Sequence, residues 1–133
     1  MRIGDLAAAT GTTTKTLRFY EQAGLLEEPP RTSGGYRDYP AHAPARVGFI
    51  RSAQAAGLSL AEIRDVLAIR DGGQPPCAHV TALLDQHLAD VERRIAELSA
   101  TRAMLRELAR TASATDPTTC TESDICRILT TAG

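Results

Sequence analysis

A long segment without glycine or proline, from Cys77 to Asp116, constrains the fold of this chain most strongly. Apolar residues recur along it with alternating spacings of four and three, which is typical of a coiled-coil seam. The central seam positions are Leu84, Leu88, Val91, Ile95 and Leu98. At ~1.5 Å per residue the segment predicts a helix roughly 50 Å long. A small preceding domain cannot cover such a stripe, so we expect the helix to pair with a second copy of the chain.

The composition limits what the rest of the 133 residues can form. This length suits one domain, or a small domain with an appended element. The chain has two Phe, three Tyr and no Trp, so a deep aromatic substrate pocket is not expected. No apolar run approaches the roughly 18 residues of a membrane span. The first residues also lack the apolar stretch of a signal peptide, so we expect a cytoplasmic protein that does not contact a membrane.

Positive charge is concentrated in the first third of the chain. Residues 1–51 carry seven basic and five acidic side chains, whereas residues 52–133 carry eight and eleven. Only the N-terminal third is therefore a candidate surface for a polyanion. Arginine supplies nearly all of the basic charge, and it can bind phosphate through two parallel hydrogen bonds.

The pattern of the N-terminal third predicts two short helices joined by a tight turn. Apolar residues spaced by three and four begin at Ile3, and Thr10-Gly11 ends the first helix. A threonine cap at Thr12-Thr13 begins the second helix, which runs to about Gln22 with Leu17 and Tyr20 facing inward. Helices arranged in this way form a helix-turn-helix.

Turn and cap residues predict a hairpin and two further helices after this motif. Gly34-Gly35 between short flanks indicates a hairpin tip, or wing. Pro44 suits the first turn of a third helix over about 43–56. Ser59 and Glu62 form a capping box that begins a fourth helix, which ends near residue 70.

Short polar and cationic side chains at the start of the second helix suit the major groove and its phosphates. Packing of a three-helix domain without any nucleic-acid role is the alternative. Our candidate DNA-contacting residues are Thr13, Thr14, Lys15, Arg18 and Tyr20 of the second helix, with Arg31, Tyr36 and Arg37 of the wing.

The three cysteines are an odd number, so they do not form a closed set of disulfides. Cys120 and Cys126 lie in a polar loop, and Cys77 lies at the start of the long helix. This spacing leaves three interpretations open, namely a soft-metal site, a redox pair and structural thiols. His79, close to Cys77, is a candidate additional ligand.

Many residues of the first 70 positions resemble the MerR family of bacterial transcription regulators. The matching segments are Ile3-Gly-Asp-Leu-Ala7, Thr16-Leu-Arg-Phe-Tyr-Glu21, Gly24-Leu-Leu26, Arg31, Gly35-Tyr-Arg37, Tyr39, Phe49-Ile-Arg51, Gly57-Leu-Ser-Leu60 and Glu62-Ile63. The resemblance implies a mainly α fold, with a winged helix-turn-helix domain followed by an antiparallel dimerisation coil and a short metal-binding tail. We place the DNA-binding domain at residues 1–70, a linker at 71–76, the dimerisation helix at 77–114, and the metal-binding loop with a terminal helical turn at 115–133.

The cysteine positions resemble those of the heavy-metal-sensing branch of this family. The resemblance implies a site shared between protomers, in which Cys77 of one chain joins Cys120 and Cys126 of its partner. Many members of the branch have a cysteine near the position of Ala112, so the loop is rearranged in this chain. Thiolates suit soft ions, and the resemblance implies a divalent one, because family members that sense monovalent copper usually carry serine at the position of Cys77. We expect mercury, lead or cadmium ahead of zinc, because zinc usually takes four ligands. His79, Asp116 and Asp124 are the candidates for a fourth ligand.

The resemblance implies a regulator and not an enzyme. The expected protein binds a dyad operator in double-stranded promoter DNA as a homodimer. When metal binds, it distorts that DNA so that RNA polymerase can engage. The alternative is a redox-sensing regulator with the same fold that uses a disulfide between Cys120 and Cys126.

Overall fold

The computed structural model describes residues 1–121 and 125–130, and this part of the chain is helical with no strand. The six helices are α1 (Ile3–Thr10), α2 (Thr14–Gln22), α3 (Ala43–Ala55), α4 (Leu60–Asp71), α5 (Cys77–Ala114) and α6 (Arg127–Thr130), with a 3-10 turn at Pro117–Thr119. The mainly α fold class predicted from the sequence is confirmed, including the long helix. The chain divides into two compact units, Met1–Asp85 and Gln86–Gly133, which we describe separately.

The helix-turn-helix is formed by the turn and cap that the sequence predicts. Gly11 takes the left-handed conformation at φ +67° and ends α1, and its backbone N–H donates to the carbonyl of Ala7. The Thr13 hydroxyl accepts a hydrogen bond of 3.1 Å from the backbone N–H of Thr16 and so caps α2. The two helices can therefore pack closely at a short turn.

A small aliphatic core holds α1 to α4 together. Ser59 and Glu62 make the reciprocal hydrogen bonds of a capping box, which fixes the start of α4. Gly57, at φ +91°, allows the chain to turn between α3 and α4. The largest fully buried side chains are Leu6, Leu17, Leu25, Val47, Ile50, Ile63 and Val66. Burial of this apolar surface is the main stabilising term of the unit.

The wing is shorter than the predicted hairpin. We use the name wing for residues 31–37, in which a single antiparallel bridge joins Arg31 and Arg37. The turn is closed by a 2.7 Å hydrogen bond from the Thr32 N–H to the Tyr36 carbonyl. Gly35 lies at φ +82°, a conformation that side chains other than glycine rarely adopt.

The first compact unit extends beyond the predicted linker at residues 71–76 and includes the start of α5. Leu83 is buried and Val80 packs against the core of the unit. The helix therefore begins as part of the N-terminal fold.

In the second unit, α5 continues with exposed apolar side chains. Four side chains of the predicted seam are at least half exposed here, namely Leu88, Val91, Ile95 and Leu98. Leu84, which precedes them on the same helix, is 45 % exposed. No helix in the described ranges is both long and apolar enough to cross a membrane.

Candidate nucleic-acid interface and metal ligands

The outward face of α2 carries cations. Lys15 and Arg18 are exposed there, and Thr14 is half-buried at the first helical position. The Thr13 hydroxyl is engaged in the helix cap, where it also lies 3.0 Å from the Thr16 hydroxyl. Of the candidates at the start of α2, Lys15 and Arg18 thus offer long side chains to a ligand.

Tyr20 does not lie on this face. It is 3 % exposed, and its hydroxyl donates a 2.8 Å hydrogen bond to Gln54 of α3. Burial raises the pKa of Tyr20, while Arg51 lowers it by a smaller amount. The structure corrects the predicted contact with DNA, because Tyr20 lies two positions from Arg18, on the side of α2 that packs in the core. Its role is to hold α2 against α3.

The sequence prediction missed Phe19, which lies on the outward face of α2. Its ring is 46 % exposed beside the cationic positions of the helix. Helical periodicity could have placed it there, since Leu17 and Tyr20 define the opposite side. Apolar side chains on such a face suit the methyl group of thymine in the major groove.

A largely buried carboxylate fixes the wing against α2. Glu21 accepts a 3.3 Å hydrogen bond from Nε of Arg37 and a short one from the Tyr39 hydroxyl. The side chain of Glu21 is only 10 % exposed, so the contact with Arg37 is shielded from solvent. Burial, followed by the hydrogen bond to Glu21, raises the pKa of Tyr39 well above its usual value. Arg37 is thereby held in place before any ligand arrives.

The remaining wing residues are exposed. Arg31 donates a 3.0 Å hydrogen bond to the carbonyl of Gly35 across the turn. Tyr36 is 56 % exposed, and the guanidinium carbon of Arg2 lies 4.5 Å from the centroid of its ring. Arg2 was not among the predicted site residues, because no local pattern links the start of α1 to the wing.

The three cysteines are free thiols that lie in different parts of the chain. Cys77 is exposed at the first position of α5, in the first compact unit. Cys120 is exposed directly after the 3-10 turn, and Cys126 is half-buried directly before α6. Among the described residues of a single chain, no three His, Cys, Asp or Glu side chains are placed to hold one metal ion. Free thiols are nevertheless the donors that soft metal ions prefer, so the donor set fits such an ion.

The candidates for a fourth ligand are differently placed. His79 is half-buried, and in the described part of the chain its buried Nε2 atom makes no hydrogen bond. Residues two apart on a helix do not face each other, so His79 is not beside exposed Cys77. Asp116 accepts hydrogen bonds from the backbone and hydroxyl of Thr118, which lower its pKa. Asp124 lies outside the described residues.

Comparisons with known proteins cover most of the chain. The family model "MerR HTH family regulatory protein" matches residues 1–68, and the model "MerR, DNA binding" matches residues 45–108. A ZntR homologue of Haemophilus influenzae, an HTH-type transcriptional regulator, is 39 % identical over 108 residues, which span 81 % of this chain and 80 % of the relative. The mercuric resistance operon regulatory protein of Pseudomonas fluorescens is also 39 % identical, over 81 % of this chain and 74 % of its own length.

Similarity to a solved structure extends over the whole chain. The transcription regulator PbrR691 of Ralstonia metallidurans, crystallised with lead(II), superposes with a TM-score of 0.74 at 38 % identity. The match covers 100 % of this chain and 99 % of that protein. The likeness therefore includes the cysteine-bearing region as well as the helix-turn-helix.

Replacing Tyr39 by Phe tests the carboxylate that fixes the wing. We expect a loss of about 1 kcal/mol in the free energy of unfolding at neutral pH, because one hydrogen bond is removed. Because the pKa of Tyr39 is raised in the folded protein, the stabilisation that Tyr39 provides is fully present below its ordinary pKa of 10.0. This stabilisation decreases as the pH rises above that value. Urea unfolding should therefore show that the free energy of unfolding falls less between about pH 9 and about pH 11 for Tyr39→Phe than for the wild-type protein.

Tyr36→Phe is the matched control, because the Tyr36 side chain is exposed. This variant should follow the wild-type protein at both pH values. If the free energy of unfolding fell equally between the two pH values for the wild-type and Tyr39→Phe proteins, the assigned role of Tyr39 would be wrong.

Proposed function

The chain belongs to the MerR family of helix-turn-helix transcription regulators, and from this premise we propose that it is a metal-responsive activator that binds a dyad promoter operator as a homodimer. The observation that carries the proposal is the combination of an exposed cationic face on α2 with three free thiols in the same chain. Arginine donors suit the phosphates of DNA, and thiolates suit a soft metal ion. The two sets of groups therefore serve two different ligands.

On the DNA side, we propose that α2 enters the major groove. Lys15 and Arg18 project from its exposed face, and the fixed Arg37 and the wing residues Arg31 and Tyr36 contact the flanking backbone. Thr13 and Thr14 lie at the start of α2, where backbone N–H groups favour a phosphate. Because the chain belongs to a family of DNA-binding regulators, we assign these contacts to DNA. The preformed hydrogen bond between Arg37 and Glu21 reduces the conformational freedom that Arg37 loses on binding.

On the metal side, Cys77 of one protomer and Cys120 and Cys126 of its partner would hold the ion. When bound, a soft divalent ion supplies strong bonds to thiolates and displaces their protons. The named relatives include a mercuric resistance regulator and a protein crystallised with lead(II). The engaged carboxylate of Asp116 and the buried ring nitrogen of His79 support a site of three thiolates. We therefore propose mercury, lead or cadmium ahead of zinc as the activating ion.

Activation follows from a shift in population. A ligand changes the balance between two conformations only to the extent that it binds them with different affinity. We propose that the metal-bound dimer favours a distorted operator, whose elastic energy depends on its sequence, and that RNA polymerase engages this distorted form. A site that draws thiols from both protomers couples the metal to the dimer interface.

Replacing Val91 and Ile95 by Asp tests the proposed dimer. The two charges would lie on the exposed apolar row of α5, where pairing with a second helix must remove them from water. We expect sedimentation measurements to show monomers and gel-shift assays to show loss of operator binding. The control variant carries Ala89→Asp and Ala100→Asp, two exposed positions on the opposite face of α5, and should remain dimeric. A dimer that survives the first pair of changes would refute the proposed interface.

Replacing Arg18 by Ala tests the phosphate contacts. Each phosphate contact that is lost lowers the slope of log affinity against log salt by about one unit. We expect that change in slope, with weaker binding to all DNA sequences, in fluorescence anisotropy titrations at several salt concentrations. Arg93→Ala, an exposed arginine on the face of α5 opposite the apolar row, should leave both quantities unchanged. A loss of affinity confined to one base position, with the slope unaltered, would instead assign Arg18 to base recognition.

A mixed dimer of Cys77→Ser and Cys120→Ser chains tests the shared metal site. If each site draws Cys77 from one protomer and Cys120 from the other, one site loses two ligands and the second keeps all three. We expect such dimers to bind about one ion, at an affinity close to that of the wild-type site, in competition with a chelator. If each site lay within one chain, both sites would be damaged and the mixed dimer would bind no metal tightly.

The same single Cys→Ser variants separate metal sensing from the redox alternative. Each should lose metal-induced transcription and keep its affinity for the operator, because the thiols lie outside the helix-turn-helix. Activation by an oxidant in the absence of metal, lost in Cys120→Ser, would support the disulfide mechanism instead.

A further inference from the structure

We propose that Arg2, Arg18, Arg31 and Arg37 surround a recess that binds one phosphodiester group of the DNA backbone, and that Arg2, stacked on Tyr36, is one of its direct ligands. This inference rests on the proposed DNA-binding function and adds a residue and a defined subsite to it. Every residue involved lies in the first compact unit.

The recess lies between the start of α1, the outward face of α2 and the wing. It has a volume of about 370 Å³, its lining includes all four arginines, and Asp5 is the one acidic residue among the described residues that line it. Glu21 and Glu28 offset the charges of Arg37 and Arg31, and Asp5 offsets one more, so the recess keeps a net positive charge. A group with a full negative charge and several acceptor oxygens is the ligand that this arrangement favours.

The four arginines are held in different ways. Arg37 is fixed by Glu21, and Arg31 donates to the carbonyl of Gly35 and faces Glu28 at 3.5 Å. In the described part of the chain, by contrast, the guanidinium groups of Arg2 and Arg18 donate no hydrogen bond within the protein. Arg31 and Arg37 are therefore held in fixed positions at the recess, whereas Arg2 and Arg18 retain all their N–H donors for a ligand.

Tyr36 places Arg2 at the recess. The guanidinium carbon lies 4.5 Å from the ring centroid, within the range of a cation–π contact. Stacking uses the face of the guanidinium and leaves its N–H edge free to donate. This contact explains why a tyrosine ring is kept 56 % exposed on the wing.

The wing in turn fixes the position of the tyrosine ring. A Cβ atom at Gly34 would lie 3.3 Å from Cδ2 of Tyr36, closer than an ordinary van der Waals contact. The small residue at this position allows the ring to lie against the turn. Gly34, the ring of Tyr36 and Arg2 thus form one chain of contacts that ends at the recess.

Arg18 connects the recess to the proposed DNA surface. It lies on the same exposed face of α2 as Lys15 and also lines the recess. A phosphate in the recess would therefore belong to the backbone next to the base pairs that α2 faces. A free inorganic phosphate offers the same chemistry without this continuity, and the experiment distinguishes the two.

The experiment begins with binding of the full-length dimer to a duplex selected from random sequence. We expect Arg2→Ala to weaken binding about tenfold and to reduce the salt slope by about one unit. Arg2→Lys should keep the slope, because the charge remains. Tyr36→Leu should weaken binding less in the Arg2→Ala background than in the wild-type background, since the two residues act as a pair.

Neutral methylphosphonate linkages, introduced one at a time into the duplex, identify the phosphate. One linkage in each half-site should weaken the wild-type protein more than it weakens Arg2→Ala, while all other linkages affect both proteins equally. Arg93→Ala should give the wild-type pattern throughout.

The outcomes separate the recess from the wider proposal. If the wild-type protein binds no duplex, the DNA-binding function and the recess both fail. If it binds, but Arg2→Ala keeps the full salt slope or no linkage distinguishes the two proteins, only the assignment of the recess is wrong. Titration with inorganic phosphate completes the test, because Arg2-dependent binding of that ion without any effect of Arg2 on DNA affinity would also overturn the proposal.

Discussion

The cationic surface of this protein depends on the largely buried carboxylate of Glu21. It is the last acidic group of α2, and it accepts hydrogen bonds from two residues that follow the turn of the wing, Arg37 and Tyr39. Tyr39 is itself buried, and its backbone N–H donates to the carbonyl of Met1. The Glu21 carboxylate thereby links α2 to the wing and, through Tyr39, to Met1. Without it, Arg37 would lose the carboxylate that balances its charge away from solvent.

Local patterns predicted the helices well because their ends are set by neighbouring residues. Gly11 ends α1 through its own backbone conformation, and Ser59 with Glu62 begins α4 through bonds that span three residues. The start of α5 at Cys77 follows Pro75 and Pro76, which cannot continue a helix from the preceding turn. The wing was predicted less accurately, since a single bridge between Arg31 and Arg37 replaces the expected hairpin.

Residues whose roles depend on distant partners were beyond sequence reasoning. The inward position of Tyr20 agrees with helical periodicity, but its hydrogen bond to Gln54 joins residues 34 positions apart. Arg2 and Tyr36 meet only because the wing folds back onto the start of α1. The shared metal site remains a prediction, since its ligands belong to two compact units and, by the proposal, to two protomers. Spacing along one chain carries no information about a neighbouring chain.

The composition of the cationic surface has a practical consequence. The chain contains fourteen arginines but only one lysine, Lys15, which is exposed on the outward face of α2. Acetylation and other acylating chemistry act on the lysine amine, whereas the arginine guanidinium is not their target. A single side-chain amine thus lies on the surface that we propose to be covered by DNA. Its rate of labelling by an amine-reactive reagent would report directly how much of the protein is free of its operator.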